Sequence, residues 1–284
     1  MFAAAPPPRA RLPRSLAGAL RRYAGRLLDA VLPPACVLCG DTSASALLCP
    51  ACCAQFFSAS ALGARCTCCA NPLPALAPPP AATQSSNISS NICSSQAQMA
   101  TGVTRLCAQC QQQQPDYAQT LIACEYALPL DQLVLQLKFG QQLAYAELMA
   151  QQLRDAILRQ PDYRLPELLC PVPLGPRRLA ERGYNQALEI ARPLARQLGI
   201  ALAPRLLVRV RETAPQSLVT ASARQPNLAG AFAVSAAQQV QGRHIGVVDD
   251  VMTSGTTLQE IAATLRRYGA RRVSNLVFAR TPPH

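Results

Sequence analysis

Cysteine placement is the feature that most constrains this chain. Eleven of the thirteen cysteines lie in residues 1–118, and only Cys124 and Cys170 lie in the remainder. A secreted disulfide scaffold would spread its cysteines through a small, loop-rich fold, whereas close pairs confined to one segment are typical of a metal site in a reducing compartment. The pattern therefore predicts a cytoplasmic protein in which a small cysteine-rich module precedes a larger domain.

Eight of these cysteines form four Cys-x-x-Cys units. Two intervening residues let a tight turn direct both sulfurs at one ion, and two such turns complete a tetrahedral Zn–S4 site, which is structural because all its ligands come from the protein. Pairing of neighbouring units, an interleaved pairing and a single occupied site all remain open, and thiol–disulfide catalysis is a minor alternative. The units predict one or two Zn²⁺ ions, with ligands drawn from Cys36, Cys39, Cys49, Cys52, Cys66, Cys69, Cys107 and Cys110.

Composition divides the chain into three parts. Residues 1–30 are rich in arginine, and the apolar periodicity of residues 15–31 predicts an amphipathic helix. We favour a helix docked on the body over one that lies on a membrane surface or on nucleic acid. Residues 31–118 are predicted to be a zinc-ribbon module, interrupted by a Pro/Ala/Ser/Asn/Gln-rich insertion at 71–105 that is predicted to be disordered. Residues 119–284 alternate strand and helix patterns at the spacing of βαβ units, which predicts an α/β domain. No run of about 18 apolar residues occurs, so no membrane span is predicted.

The third part has a definite predicted order of elements. Strands are expected near residues 121–126, 168–172, 206–210, 231–235, 245–248 and 273–279. Helices are expected over residues 130–158 and 258–268. A further helix should begin near Asn185 and be kinked or restarted at Pro193, because an interior proline costs about 3 kcal/mol.

The net charge of +12 comes from 26 arginines and one lysine against 15 acidic residues. Such a surplus favours anionic partners, namely phosphates, nucleic acid or anionic lipid, although a GC-rich coding sequence would also replace lysine with arginine. The single lysine, Lys138, is interpreted as a solvated residue on a helix surface. The cluster Arg266, Arg267, Arg271 and Arg272 surrounds a helix C-terminus, where cations are favoured without any ligand.

Residues 246–261 carry the clearest chemistry. A short apolar strand ends in Asp249 and Asp250, at the edge where open α/β sheets bind ligands. Next comes a loop that donates hydroxyl and N–H groups to an anion at a helix N-terminus. Thr257 and Glu260 also have capping-box spacing. We call this loop the hydroxyl loop; it consists of Thr253, Ser254, Gly255, Thr256 and Thr257.

This stretch resembles the phosphoribosyl pyrophosphate (PRPP) signature of type I phosphoribosyltransferases. In that signature an apolar strand is followed by Asp-Asp, two further residues and then Thr-Ser-Gly-Thr-Thr. Further motifs narrow the resemblance to the ComF/GntX family: Leu-Pro-Pro-x-Cys-x-x-Cys at 32–39, Leu-Lys-Phe-Gly at 137–140, Pro-Val-Pro-Leu at 171–174 and Glu-Arg-Gly-Tyr-Asn-Gln at 181–186. The resemblance implies a mostly parallel sheet flanked by helices behind a zinc ribbon. It also implies a role in natural competence or in the use of external DNA.

The resemblance implies roles for particular residues. Asp249 and Asp250 would accept hydrogen bonds from the ribose hydroxyls and hold Mg²⁺ through water, while the hydroxyl loop binds the 5-phosphate. The arginines Arg177, Arg178 and Arg182 would contact pyrophosphate. Arg209, together with Arg211 and Arg224, would flank a lid.

The sequence leaves the activity open between two main readings. As a phosphoribosyltransferase, the protein would transfer the phosphoribosyl group of PRPP to a nitrogenous base, with arginines stabilising the leaving pyrophosphate. As a non-catalytic adaptor, it would sense PRPP, bind single-stranded DNA and contact the DNA-uptake machinery. No segment is assignable as a nucleobase-recognising hood, so catalysis does not follow from PRPP binding. A scaffold with a vestigial pocket is the least favoured reading.

Overall fold

A computed structural model of the chain describes residues 35–43, 47–74, 105–211 and 230–282. The chain divides into two compact units, Met1–Ala54 and Gln55–His284. The helix predicted over residues 15–31, residues 75–104 of the predicted insertion, and the predicted lid with Arg224 lie outside the described residues. None of the described helices is both long and apolar enough to cross a membrane.

The cysteine-rich part contains three short helices, α1 (Pro50–Phe57), α2 (Ala59–Leu62) and α3 (Ala108–Gln113). Within the segment predicted as an insertion, Asn71 and Leu73 are hydrogen-bonded to the turn that contains Cys66, through Cys66 N–H to Asn71 O (2.8 Å) and Leu73 N–H to Ala64 O (2.8 Å). Arg105 closes the other end of that segment, because its guanidinium donates to the carbonyl of Pro74 at 3.1 Å. Residues 71–74 and 105 are therefore ordered parts of the cysteine-rich region.

The larger unit is built on a five-stranded sheet in the order β1-β7-β6-β2-β3, and every pairing in it is parallel. Its buried centre consists of apolar β-branched residues such as Val247 and Val248, as expected for strands covered on both faces. A separate antiparallel ribbon pairs β4 with β5. The strands are β1 (Gln119–Glu125), β2 (Leu168–Pro171), β3 (Ala201–Leu202), β4 (Leu207–Arg209), β5 (Phe232–Val234), β6 (His244–Met252) and β7 (Arg272–Arg280).

Five further helices connect the strands: α4 (Leu130–Phe139), α5 (Ala144–Leu158), α6 (Pro176–Arg182), α7 (Gln186–Leu198) and α8 (Thr256–Arg267). The connections from β1 to β2 and from β2 to β3 run in one direction across the sheet, whereas that from β6 to β7 runs in the other. Right-handed crossovers therefore place α5 and α7 on one face and α8 on the opposite face. The prediction of a mostly parallel sheet flanked by helices is confirmed.

The direction of the connections reverses between β2 and β6, which are neighbours in the sheet. Such a reversal leaves a crevice at the carboxyl ends of the two strands, and open α/β sheets bind their ligands there. The fold itself therefore marks the region after Pro171 and around Asp249 as the place to look for a site.

Two helix predictions need correction. The helix expected over residues 130–158 is broken, because Gly140 caps α4 and Gln141 has a positive φ of 53° before α5 begins. The helix after Asn185 is continuous through Pro193, which the sequence predicted to kink or restart it. The buried face around Ile190 and Leu194 packs on the sheet, and this packing offsets the cost of the interior proline.

Candidate functional site

A cavity of about 450 Å³ opens at the crevice between the carboxyl ends of β2 and β6, and we call it the carboxyl-edge cavity. Asp249 and Asp250 line it from the end of β6. The loop after β2, the C-terminal end of α4, helix α6 and the end of β4 provide the other walls. Separate segments of the chain thus converge on the acidic pair, as the topology requires.

The two carboxylates differ in their surroundings. Asp250 is buried, and one of its oxygens lies 2.5 Å from the Lys138 ammonium group. Asp249 accepts a hydrogen bond at 2.9 Å from the backbone N–H of Asp250. Burial, together with the neighbouring charge of Asp250, raises the pKa of Asp249 well above its ordinary value, while Lys138 acts in the opposite direction. The cavity therefore holds two acids that resist carrying full charge together.

Lys138 is the main correction to the interpretation of the sequence. It was interpreted as a solvated surface lysine, but only 23% of its side chain is exposed and it pairs with Asp250. The turn that ends α4 at Gly140 brings Lys138 to the rim of the cavity. A lone lysine on a helix carries no local signal of such a partner, because Asp250 lies on a distant strand.

The hydroxyl loop forms a small cradle of about 30 Å³ next to Asp249. Gly255 begins α8 with φ near 80°, a conformation suited to glycine, and a Cβ there would lie 2.5 Å from the Met252 methyl group. The Ser254 and Thr256 hydroxyls lie 2.8 Å apart. The N-terminus of a twelve-residue helix and several hydroxyls thus surround a space suited to a phosphate.

The predicted capping box is wrong. Helix α8 begins at Thr256 with Gly255 as its N-cap, so Thr257 lies inside the first turn. The Glu260 carboxylate instead accepts a hydrogen bond at 2.9 Å from the N–H of Gly230, just before β5. This contact ties the antiparallel ribbon to the helix that starts at the hydroxyl loop.

Arg280, which the sequence did not indicate as a site residue, donates a hydrogen bond to the carbonyl of Thr253 at the start of the hydroxyl loop. It is buried at the end of β7, and burial lowers its pKa, so the charge is maintained by a dense shell of acceptors. Its guanidinium connects the cysteine-rich turn with the end of β6. The acceptors are the carbonyls of Cys69 (3.2 Å), Met252 (3.1 Å), Thr281 (2.7 Å) and Thr253, and the side-chain oxygen of Asn71 (2.6 Å).

Three of the six arginines that were predicted to contact pyrophosphate or flank a lid line the carboxyl-edge cavity, namely Arg178, Arg182 and Arg209. The Arg182 guanidinium lies 5.2 Å from the centre of the Phe139 ring, and burial lowers the pKa of Arg182 while Asp250 counteracts this shift. Arg177 points elsewhere, because it pairs with Glu181 at 2.9 Å on the exposed side of α6.

Asn185, within the sequence motif at 181–186, positions the segment that faces the acids. Its side-chain oxygen accepts from the N–H of Ala187 and caps α7, while its amide nitrogen donates to the Val172 carbonyl at 2.9 Å. One residue therefore fixes both the start of α7 and the loop after β2. A capping asparagine is recognisable from sequence, but its second bond is not.

The cysteines assemble as two separate groups made from neighbouring units. The first tetrad is Cys36, Cys39, Cys49 and Cys52, and the second is Cys66, Cys69, Cys107 and Cys110; within each, the ligand atoms lie within 4.8 Å of one another. Both tetrads begin with the same turn, closed by backbone bridges between residues 35 and 42 and between residues 65 and 72. Of the pairings that the sequence left open, the structure has the one between neighbours.

The tetrads have the dimensions of a Zn–S4 site. Sulfur–sulfur distances are 3.7 Å between Cys39 and Cys49 and 3.6 Å between Cys69 and Cys107. A tetrahedron with Zn–S bonds of about 2.3 Å has edges of about 3.8 Å. Backbone N–H groups also point at sulfur, as from Cys107 to Cys66 at 3.3 Å. These four-sulfur groups fit a tetrahedral metal ion with no ligand position left for substrate.

Comparison with known proteins agrees with this architecture. The phosphoribosyl transferase domain family matches residues 185–283. DNA utilization protein YhgH of Salmonella typhimurium is 38% identical over 178 residues, which cover 62% of this chain and 78% of that protein. Competence protein F of Haemophilus influenzae is 35% identical over 172 residues, covering 59% and 75% of the two chains.

Solved structures of phosphoribosyl enzymes match the backbone over about half of the chain. Glutamine PRPP amidotransferase from B. subtilis has 19% identity and a TM-score of 0.31, and the match covers 46% of this chain and 25% of that one. A purine phosphoribosyltransferase from Pyrococcus horikoshii has 16% identity and a TM-score of 0.27, with coverage of 51% and 85%.

Proposed function

This chain belongs to the ComF family of proteins with a phosphoribosyltransferase-like domain, and from this premise we propose that it binds PRPP with Mg²⁺ in the carboxyl-edge cavity. One observation carries the proposal: an acidic pair and the cradle formed by the hydroxyl loop adjoin at the switch point of a parallel sheet. The 5-phosphate would lie in the hydroxyl loop. The ribose hydroxyls would donate to Asp249 and Asp250.

The charges around the cavity support this orientation. Mg²⁺ prefers carboxylate and phosphate oxygens, and its charge would favour the ionised form of Asp249, whose protonation burial otherwise promotes. Arg178 and Arg182 line the same cavity, and their guanidinium groups suit the pyrophosphate group. Lys138 would exchange part of its pairing with Asp250 for contact with a ligand phosphate.

We further propose two structural Zn²⁺ ions, one in each tetrad, and a role in the utilisation of imported DNA. The four-sulfur geometry supports zinc, and reduced cysteines that bind metal fit a cytoplasmic location. The names of the relatives and the net charge of +12 support a role with DNA. Phosphoribosyl transfer is the activity we favour for the carboxyl-edge cavity, with PRPP sensing as the alternative.

Titration calorimetry with PRPP and Mg²⁺ tests the site. The double variant Asp249→Asn/Asp250→Asn loses charged acceptors, and hydrogen bonds to charged groups are worth about 1.5–3 kcal/mol each, so its affinity should fall by about 100-fold or more. Thr256→Val should weaken PRPP by about tenfold without changing the Mg²⁺ requirement. The control Asp155→Asn/Asp162→Asn removes the same charge from exposed or half-exposed positions and should bind like the parent.

Parent-like PRPP binding by the Asp249→Asn/Asp250→Asn variant would show that the ribose assignment is wrong. A second measurement separates the two activities: pyrophosphate release is followed with PRPP, Mg²⁺ and each nucleobase in turn. Release that depends on Asp249 and Asp250 identifies a transferase, whereas PRPP binding without release identifies a sensor.

A further inference from the structure

A second cavity lies at the opposite edge of the sheet, where the parallel strands begin, and we call it the amino-edge cavity. It has a volume of about 750 Å³ and is bordered by the first residues of β6 and β7 and by the segments that lead into β1 and β2. Asp250 at the other edge lies six residues along β6 from His244 at this edge, a distance of about 20 Å along a strand. The two cavities are therefore separate sites.

Four arginines line the amino-edge cavity: Arg164, Arg266, Arg271 and Arg272. Arg266 caps the end of α8, because its guanidinium donates to the carbonyl of Ala270 at 2.7 Å, as the sequence predicted for cations at this helix end. The other three are not explained by the helix terminus. Arg164 is exposed before β2, and the buried Nε of Arg272 has no hydrogen-bond partner among the described residues.

The carboxylates at this cavity do not neutralise the arginines. Glu167 accepts from Arg271 at 2.8 Å and from the backbone N–H of His244 at 3.2 Å. Asp116 accepts from the Gln259 amide at 2.6 Å. Burial and the nearby charge of Arg272 lower the pKa of His244 to about 4, so the imidazole is neutral at pH 7. Four arginines against two engaged carboxylates leave an excess of two positive charges.

We infer that the amino-edge cavity binds the phosphate groups of nucleotides, either free or within a single strand of DNA. Guanidinium groups suit phosphate because they donate two parallel hydrogen bonds, and Arg164, which is exposed and lines the cavity, is placed for such a contact. The volume lies within the range of about 300–1,000 Å³ that is usual for ligand sites. The inference rests on the proposed role with DNA for the identity of its ligand, and it does not depend on the PRPP site.

The test uses fluorescence anisotropy with a fluorescein-labelled oligodeoxythymidylate, measured as a function of salt. The parent should bind, and Arg164→Gln/Arg271→Gln should remove two phosphate contacts. Each contact to a single strand contributes about 0.7 to the slope of log affinity against log salt, so the slope should fall by about 1.4. If the affinities converge at about 1 M salt, this corresponds to a loss of about 25-fold at 0.1 M salt.

Arg192→Gln/Arg196→Gln is the matched control, because it removes the same charge from exposed arginines on α7 that pair with carboxylates, as Arg271 does. This control should change affinity by less than about twofold. An equal loss in both double variants, or no loss in either, would overturn the site while leaving DNA binding intact. Absence of binding by the parent at low salt would contradict both the site and the proposed role with DNA.

Two further readouts complete the experiment. Displacement of the labelled strand by free deoxythymidine monophosphate, in the parent but weakly in Arg164→Gln/Arg271→Gln, identifies a site for one nucleotide unit. Displacement by unlabelled strand alone identifies a site that needs the continuous backbone. PRPP affinity of Arg164→Gln/Arg271→Gln should equal that of the parent, and a comparable loss of PRPP binding would contradict the separation of the two cavities.

Discussion

Two carboxylates and one ammonium group share the carboxyl-edge cavity, and their different neighbours give the two acids opposite effects on stability. Asp250 compensates the charge of Lys138, whereas Asp249 is partly buried beside a like charge. The two acids are adjacent in sequence and chemically identical. Substituting each one separately therefore isolates the effect of environment from that of residue type.

Asp249→Asn should raise the free energy of unfolding by about 1 kcal/mol at pH 7, because it removes a repelled carboxylate. Asp250→Asn should lower it by about 2–3 kcal/mol, because Lys138 loses its partner. Since the pKa of Asp249 is raised above 3.8, the parent loses stability as pH rises above that value. The advantage of Asp249→Asn should therefore grow with pH and vanish near pH 4. Urea denaturation measures both effects, and changes of the same sign would refute the assignment.

At the scale of elements, the sequence predicted best where the chemistry is local. The strand that ends in Asp249, the hydroxyl loop and the helix after it are one continuous stretch, so strand pattern, glycine and helix start could all be read together. The break between α4 and α5 and the partner of Lys138 were missed. Both depend on contacts between distant segments, which periodicity does not contain.

Arg280 on β7 donates to the turn that contains Cys69 and to the end of β6, so its replacement should lower both the stability of the fold and the affinity for PRPP. Arg280→Lys keeps the charge but cannot reach five acceptors, so the free energy of unfolding should fall by about 3 kcal/mol. PRPP affinity should also fall, by about tenfold, because the carbonyls of Met252 and Thr253 are no longer fixed. Calorimetric titration and urea denaturation measure the two losses.

Arg272→Lys, on the same strand as Arg280, provides the control. Among the described residues, its guanidinium donates one long hydrogen bond, to the Gln119 side chain at 3.4 Å, so the expected change in stability is below about 1 kcal/mol and PRPP affinity should be retained. If Arg280→Lys bound PRPP like the parent despite a loss of stability, Arg280 would be a core residue without influence on the hydroxyl loop.

At the scale of the whole molecule, the sequence separated a cysteine-rich region from an α/β domain, but the boundary is less simple than composition indicates. The second tetrad lies in the unit Gln55–His284, where Arg280 donates to the Cys69 carbonyl of its turn. Cys68 donates to the Tyr117 carbonyl at 3.5 Å, next to the start of β1. Composition shows where the cysteines occur along the chain, but it does not show that the second tetrad is hydrogen-bonded into the larger unit.

Zinc content tests this organisation. The parent should contain two zinc ions per chain, and Cys39→Ser and Cys69→Ser should each retain one, because one missing sulfur opens a Zn–S4 site. Cys68→Ser, adjacent to Cys69 but outside the tetrad, is the control and should retain both, since a hydroxyl can still donate to the Tyr117 carbonyl. Elemental analysis of protein purified under reducing conditions gives the counts.

The same variants connect the metal with the ligand site. Cys69→Ser should also weaken PRPP, because the Cys69 carbonyl is one of the acceptors that hold Arg280 behind the hydroxyl loop. Calorimetric titration of Cys69→Ser and Cys68→Ser with PRPP and Mg²⁺ measures this coupling. Full PRPP affinity in a Cys69→Ser protein that has lost one zinc ion would show that the second tetrad stabilises its own turn alone. Parent protein free of zinc, with the eight cysteines in disulfides, would contradict both metal sites.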